Sequence, residues 1–178
     1  MQELPVARQT LGAQWAASPR TGSRWRSSIR RSTAASAPAS RYLDWTVDGE
    51  AIGDWFADER NPWYGVTWLV QGDNDPDMIE ASLLALLGER DPRLDAEVRF
   101  ADGRVAILFC PLCGDLAWGA ISADLHFTDD AVEWRALNSQ DGLTREVRTD
   151  PPQRSVSFDR HQYEAANGEL LRDWVKRT

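Results

Sequence analysis

Large apolar side chains recur along the 178 residues with two different periods, and the changes of period mark out the elements. YLDWTV, beginning at Tyr42, alternates apolar and polar positions as a half-buried strand does, and Asp48-Gly49 after it supplies a turn. AIGDWFA reads as a short helix. WYGVTWLV, residues 63–70, is aromatic and β-branched, which predicts a second strand or an extended segment under the core. Asp75 then offers an N-cap, with Pro76 at the first helical position, where its missing N–H costs nothing, and with Asp77 and Glu80 near the positive helix end. Met78, Leu83, Leu84, Leu86 and Leu87 supply the apolar face of this helix, and Gly88 its C-terminal cap.

From residue 96 to 137 the period is two. AEVRF and RVAILF flank Asp102-Gly103, a strong short hairpin signal. LAWGAISADLHF alternates next, Thr128-Asp129-Asp130 turns the chain, and VEWRAL follows. Four consecutive strands of this kind make an antiparallel meander. Residues 138–157 read as a long polar connection containing Pro151-Pro152, and connections of that length often carry function. The last element is a helix: Asp159 and Gln162 match a capping box, and Tyr163, Ala166, Leu170, Leu171 and Trp174 fall on one face. The expected fold is α+β, an antiparallel β-meander of about four to six strands packed against two or three helices.

Charge divides the chain more sharply than its net value of −8 suggests. Residues 1–41 hold seven Arg and one acid, are rich in Ser and Ala, and lack apolar periodicity. They are expected to form a disordered basic extension, because such a composition cannot bury enough surface to offset the entropy of ordering. It is either a basic arm or targeting segment, or sequence translated from upstream of the native start. The 19 Arg against one Lys of the chain point to a GC-rich genome and suit the second origin. Residues 42–178 form a single domain in which 13 basic side chains against 27 acids leave −14. That body repels phosphate backbones and anionic lipid, which disfavours nucleic acid and membrane and leaves a protein or a small molecule as partner. The longest purely apolar run, Val105–Phe109, is too short to cross a bilayer. With two cysteines and no apolar export segment, the expected compartment is the reducing cytoplasm.

Both cysteines lie in ILFCPLCGDLAWGA, residues 107–120, and three chemistries compete for them. Cys110 and Cys113 can form half of a tetrahedral zinc site, with His126 beyond twelve intervening residues and Asp130 as a further ligand, although ADLHFT reads as a strand where a zinc finger needs a helix. They can act as a dithiol, Cys110 as nucleophile and Cys113 as resolving thiol. C-P-L-C is similar to the C-P-Y-C of glutaredoxins, but Gly114-Asp115 and an alternating segment follow where a helix would stabilise the thiolate. Or Cys110 ends a buried strand as a small hydrophobe and Pro111 to Gly114 make the turn. No phosphate loop, G-x-S-x-G or H-E-x-x-H is present. Nine Trp can serve as a binding platform or fill a small core.

YLDWTVDG near the domain start, the L-x-C-P-x-C-G-D-x-x-x-G-A block, VEWR and the terminal SFDRHQYEA together resemble a group of uncharacterised actinobacterial proteins, some loosely labelled oxidoreductase. In that group the block commonly runs C-G-D-x-G-C-G-A. Trp118 stands here where a further cysteine is expected, so any metal set the group shares has lost a ligand in this chain. No residue pattern decides whether the chain is an enzyme. The leading expectation is a non-catalytic binding or accessory domain that works through the 138–157 loop and an exposed Trp. The alternatives are a dithiol oxidoreductase and a structural zinc protein.

Overall fold

Among the described residues, alternating segments build two antiparallel sheets, which with four helices make an α+β fold. The computed structural model describes residues 7–17, 41–56, 65–70, 75–110 and 114–175; expectations resting on other residues, Cys113 and Trp63 among them, lie outside these. β1 (Leu11–Ala17), β2 (Arg41–Val47) and β3 (Glu50–Ala51) form the first sheet. β4 (Val105–Phe109), β5 (Ala120–Phe127), β6 (Ala131–Gln140) and β7 (Arg154–Asp159) form the second, paired in sequence order as a meander. The helices are α1 (Ile52–Phe56), α2 (Pro76–Leu86), α3 (Asp95–Val98) and α4 (Arg160–Val175).

Single bridges join the sheets at both margins. Val70 pairs with Tyr42 and Val66 with Phe109, so the segment 65–70 spans from β2 to β4, while Gln9 pairs with Phe158 on β7 just before β1 begins. Edge backbone groups that would otherwise need solvent partners are thereby paired. The helices pack against each other and the sheets, and one apolar cluster runs from Leu11 and Trp45 through Leu83 and Leu108 to Phe158. At its centre Trp134 meets Phe158 and Tyr163 edge-on, at centroid distances of 5.2 and 6.1 Å. Trp134 Nε1 donates to Tyr163 Oη at 3.1 Å, and that hydroxyl donates to Leu86 O at 2.8 Å. One phenol thus ties β6, α4 and the end of α2 together, and burial pushes its pKa up.

Several expectations change in detail. β1 falls inside the segment whose composition reads as a disordered extension: Leu11 is buried, β1 pairs with β2 along its whole length, Arg8 bonds Asp130, and Gln162 holds both backbone groups of Leu11. Backbone pairing requires no apolar periodicity, which is why composition does not reveal it. AEVRF is not a strand. Asp91 O accepts from Asp95 N, α3 follows, and the Arg99–Asp95 pair at i,i+4 favours the helical turn, leaving one bridge, Arg99 to Val105, across the Asp102-Gly103 turn. The fourth strand of the meander is instead RSVSFD, taken from the expected 138–157 connection, which shrinks to 141–153. Asp75 caps α2 as expected, its Oδ1 accepting from Met78 N at 3.3 Å. Among the described residues no helix is long and apolar enough to cross a membrane.

Candidate functional site: a cleft between two interlocked loops

The sheet is irregular where the polar chemistry collects. Register shifts interrupt β5–β6 between Ser122 and Asp124 and β6–β7 between Trp134 and Leu137, and Ala136 has a φ of 50°. Bulges take carbonyls out of the ladder, and these need other donors. Arg104 supplies them: Nη2 donates to Ser122 O at 2.8 Å and to Ala136 O at 2.7 Å, and Nε donates to Ser122 Oγ at 3.0 Å. Ser122 Oγ donates in turn to Gln140 Oε1 at 2.8 Å, and Gln140 Nε2 donates to Asp102 Oδ2 at 2.8 Å and Arg145 O at 3.3 Å. Arg104, Ser122, Asn138 and Gln140 are all buried. Desolvation lowers the Arg104 pKa, with Asp102 and Asp124 acting in the opposite direction.

This network pins two loops over one sheet face. Gln140 and Arg104 hold the Asp102-Gly103 turn, Gln140 also holds the backbone at Arg145, and Asn138 Nδ2 donates to Pro151 O at 2.7 Å. Between the loops opens a cleft of about 570 Å³, lined among others by Arg90, Asp95, Arg99, Leu116, Gly142 and Arg145. Arg90 Nη1 and Arg99 Nε both donate to the Asp95 carboxylate, at 2.9 and 3.1 Å. Arg99 is largely covered and also donates to Gly103 O, whereas Arg90 and Arg145 are exposed.

The β4–β5 and β6–β7 connections lock together at the rim. A Cβ on Gly142 would lie 1.9 Å from Leu116 O and 2.6 Å from Ala117, so only glycine permits this approach. Each side is fixed locally. Asp115 accepts from Ala117 N at 2.7 Å to start the 3₁₀ turn Leu116–Trp118, and Asp141 Oδ1 accepts from Leu143 N at 2.9 Å and Thr144 N at 2.7 Å. The Thr144 backbone bond, with the Leu143 one, holds the Asp141 carboxyl below its usual range. The residues next to this contact, Trp118 and Leu143, are 79 % and 81 % exposed, while Trp45, Trp134 and Trp174 are buried.

Of the two cysteines, Cys110 lies within the described residues. Cys110 comes directly after β4 and is half-buried, and Gly114 N donates to Cys110 O at 2.9 Å. Gly114, at φ 66°, lies against Trp68, whose ring would be 2.4 Å from an added Cβ. Beyond Gly114 the chain makes a 3₁₀ turn of three residues and enters β5, with no helix whose N-terminus could stabilise a thiolate. His126 is not brought to Cys110. Phe109 pairs with Ala120 at the start of β5, and His126, opposite Glu133, lies six positions further along, about 20 Å away. Asp130 is engaged by Arg8 and Thr128, which lower its pKa. Among the described residues no three His, Cys, Asp or Glu side chains gather as a metal would need. His161 is exposed on the first turn of α4.

One titratable group stands apart from the cleft. Asp44, on β2, is buried, and its Oδ1 has no hydrogen-bond partner among the described residues. Desolvation raises its pKa to about 6, with Asp54 adding to the rise and backbone bonds from Gly53 and Trp45 opposing it. Tyr42, close by, is pushed up to about 12, first by burial and then by Asp44 and Asp54.

No family model, curated protein or solved structure matches the chain. The arginines of the cleft and the Arg104–Ser122–Gln140 network carry no signal in the sequence, since four separate segments contribute them. Trp118 does stand out there, through the resemblance that would place a cysteine at its position.

Proposed function

We propose that the domain is a non-catalytic binding or accessory protein of the cytoplasm, which docks a partner on the face formed by the interlocked 114–119 and 141–145 loops. The observation that carries this reading is the pair Trp118 and Leu143. Two large apolar side chains are held almost fully in solvent by loops whose backbones touch at Gly142 and are fastened by Asp115, Asp141 and Gln140. An exposed Trp and Leu on two tethered loops offer apolar area for a partner to cover, and an ordered aromatic anchor loses little entropy on docking. Cys110, and Gly114 against Trp68, serve in this reading as structural support for the 114–119 loop.

Thiol titration with and without denaturant, with zinc quantified on the same sample, tests it against the two other chemistries. The expected result is slow native thiols and no stoichiometric zinc. Two fast thiols of lowered pKa would replace the binding reading with a dithiol oxidoreductase working through Cys110 and Cys113, and one zinc per chain would replace it with a zinc protein.

A further inference from the structure

Although the domain is strongly acidic, its cleft is not. Arg90, Arg99 and Arg145 line it against a single carboxylate, Asp95, which two of those arginines already neutralise. Other acids flank the lining residues in sequence, Glu89, Asp91, Glu97, Asp115 and Glu146 among them, but of the described acids Asp95 alone lines the cleft; Asp102 accepts from Gln140 and from the Arg104 backbone, and Asp141 from its own loop. Excess positive charge therefore collects in one concavity, where low-dielectric walls strengthen its field. Arg145 also has a φ of 64°, a left-handed backbone that costs a non-glycine residue energy and here delivers its side chain to the cleft.

The cleft and the two exposed apolar side chains belong to the same pair of loops. Leu116 and Gly142 line the cleft, and Trp118 and Leu143 stand immediately beyond them on the same two loops. From this we infer that the occupant is an extended acidic segment of a protein partner, with Asp or Glu carboxylates on Arg90 and Arg145 and large apolar side chains on Trp118 and Leu143. This rests on the docking reading above and names the chemistry that the docked segment must carry. Arginine forks suit carboxylates in two-point contact, and the short spacing between cleft and rim suits a chain that alternates acid and apolar groups. A long polyanion such as nucleic acid would run past the cleft on to a domain whose residues 42–178 carry −14, whereas a short segment with a few carboxylates keeps them on the arginines.

The test uses the full chain and a panel of immobilised short acetylated peptides in which Glu pairs flank Leu or Phe, with matched panels carrying Gln or Lys in place of Glu, and an oligothymidylate. Binding to the Glu panel is expected, weakening with salt and falling at least about tenfold in Arg90→Ala/Arg145→Ala. Arg145→Lys is expected to keep part of the affinity, and Trp118→Ala to lose it with the arginines intact. Unchanged urea midpoints would establish that the variants fold. Equal binding of Glu and Gln panels, indifferent to the arginine pair but sensitive to Trp118, overturns the acidic-segment inference while leaving the docking face standing. No binding to any panel up to about 1 mM, or preference for the oligothymidylate, overturns the inference as well. Fast thiols or bound zinc are the separate result that removes the docking reading itself.

Discussion

Asp44→Asn is expected to stabilise the protein at neutral pH and to do almost nothing at pH 4. The wild-type carboxylate is buried with one oxygen unpartnered, and its pKa rises from the ordinary 3.8 to about 6. Between those two values the unfolded chain releases a proton that the native state keeps, so wild-type stability falls as pH rises through the window and stays low above it. A difference of about two units corresponds to about 3 kcal/mol, absent below pH 4 and complete by about pH 7. Asparagine keeps an oxygen to accept from Gly53 N and carries no charge, so the variant escapes this loss. Urea unfolding of both proteins at pH 4, 5, 6 and 7 reads the difference directly, and comparing them cancels titration of exposed carboxylates such as Asp91, Asp130 and Asp141, whose lowered pKa values act in the opposite sense. A difference that is flat across the range, or larger at pH 4, would refute the placement of an ionisable, poorly solvated carboxyl on β2.

Tyr163→Phe removes the hydroxyl between Trp134 and Leu86 and strands both partners, which should lower stability by about 2 to 4 kcal/mol in urea unfolding with the m-value unchanged. Arg104→Met leaves buried Ser122 O and part-buried Ala136 O without their donor and should cost about 3 kcal/mol, with amide exchange rising first at 100–104 and 141–145. Gly142→Ala drives a methyl into Leu116 O, so a loss of about 2 kcal/mol should appear together with a change in Trp118 fluorescence as the loops part. Asp75→Ala deletes the cap of α2 and should cost about 1 kcal/mol by thermal unfolding.

The elements legible in the sequence are those stabilised by their own side chains: β2, β5 and β6 by alternation, β4 by its continuous apolar run, α2 by its Asp75-Pro76 start, and α4 by the spacing of Tyr163 and Trp174. β1 is hidden because Leu11 is its only fully buried side chain and its order comes from backbone pairing with β2 and from Gln162. AEVRF misleads through its β-branched and aromatic residues, since the competing local bonds of Asp91 and Asp95 cannot be weighed from alternation alone. At the site, the residue pattern isolates Trp118 and the loop after Asn138 but not the cleft between them. That cleft depends on two bulges and on a buried arginine that reaches across β5 to β6, a relation no local pattern encodes.

The most direct test of the docking face is an indole ¹H–¹⁵N spectrum recorded while an acidic peptide from the panel is titrated into the full chain. The Trp118 signal should move and broaden, with those of buried Trp45, Trp134 and Trp174 unchanged, and the Arg90→Ala/Arg145→Ala variant should require more peptide for the same shift. A titration that moves the Trp68 signal beside Gly114 and leaves Trp118 in place would contradict it, and would shift the binding site to the cysteine turn.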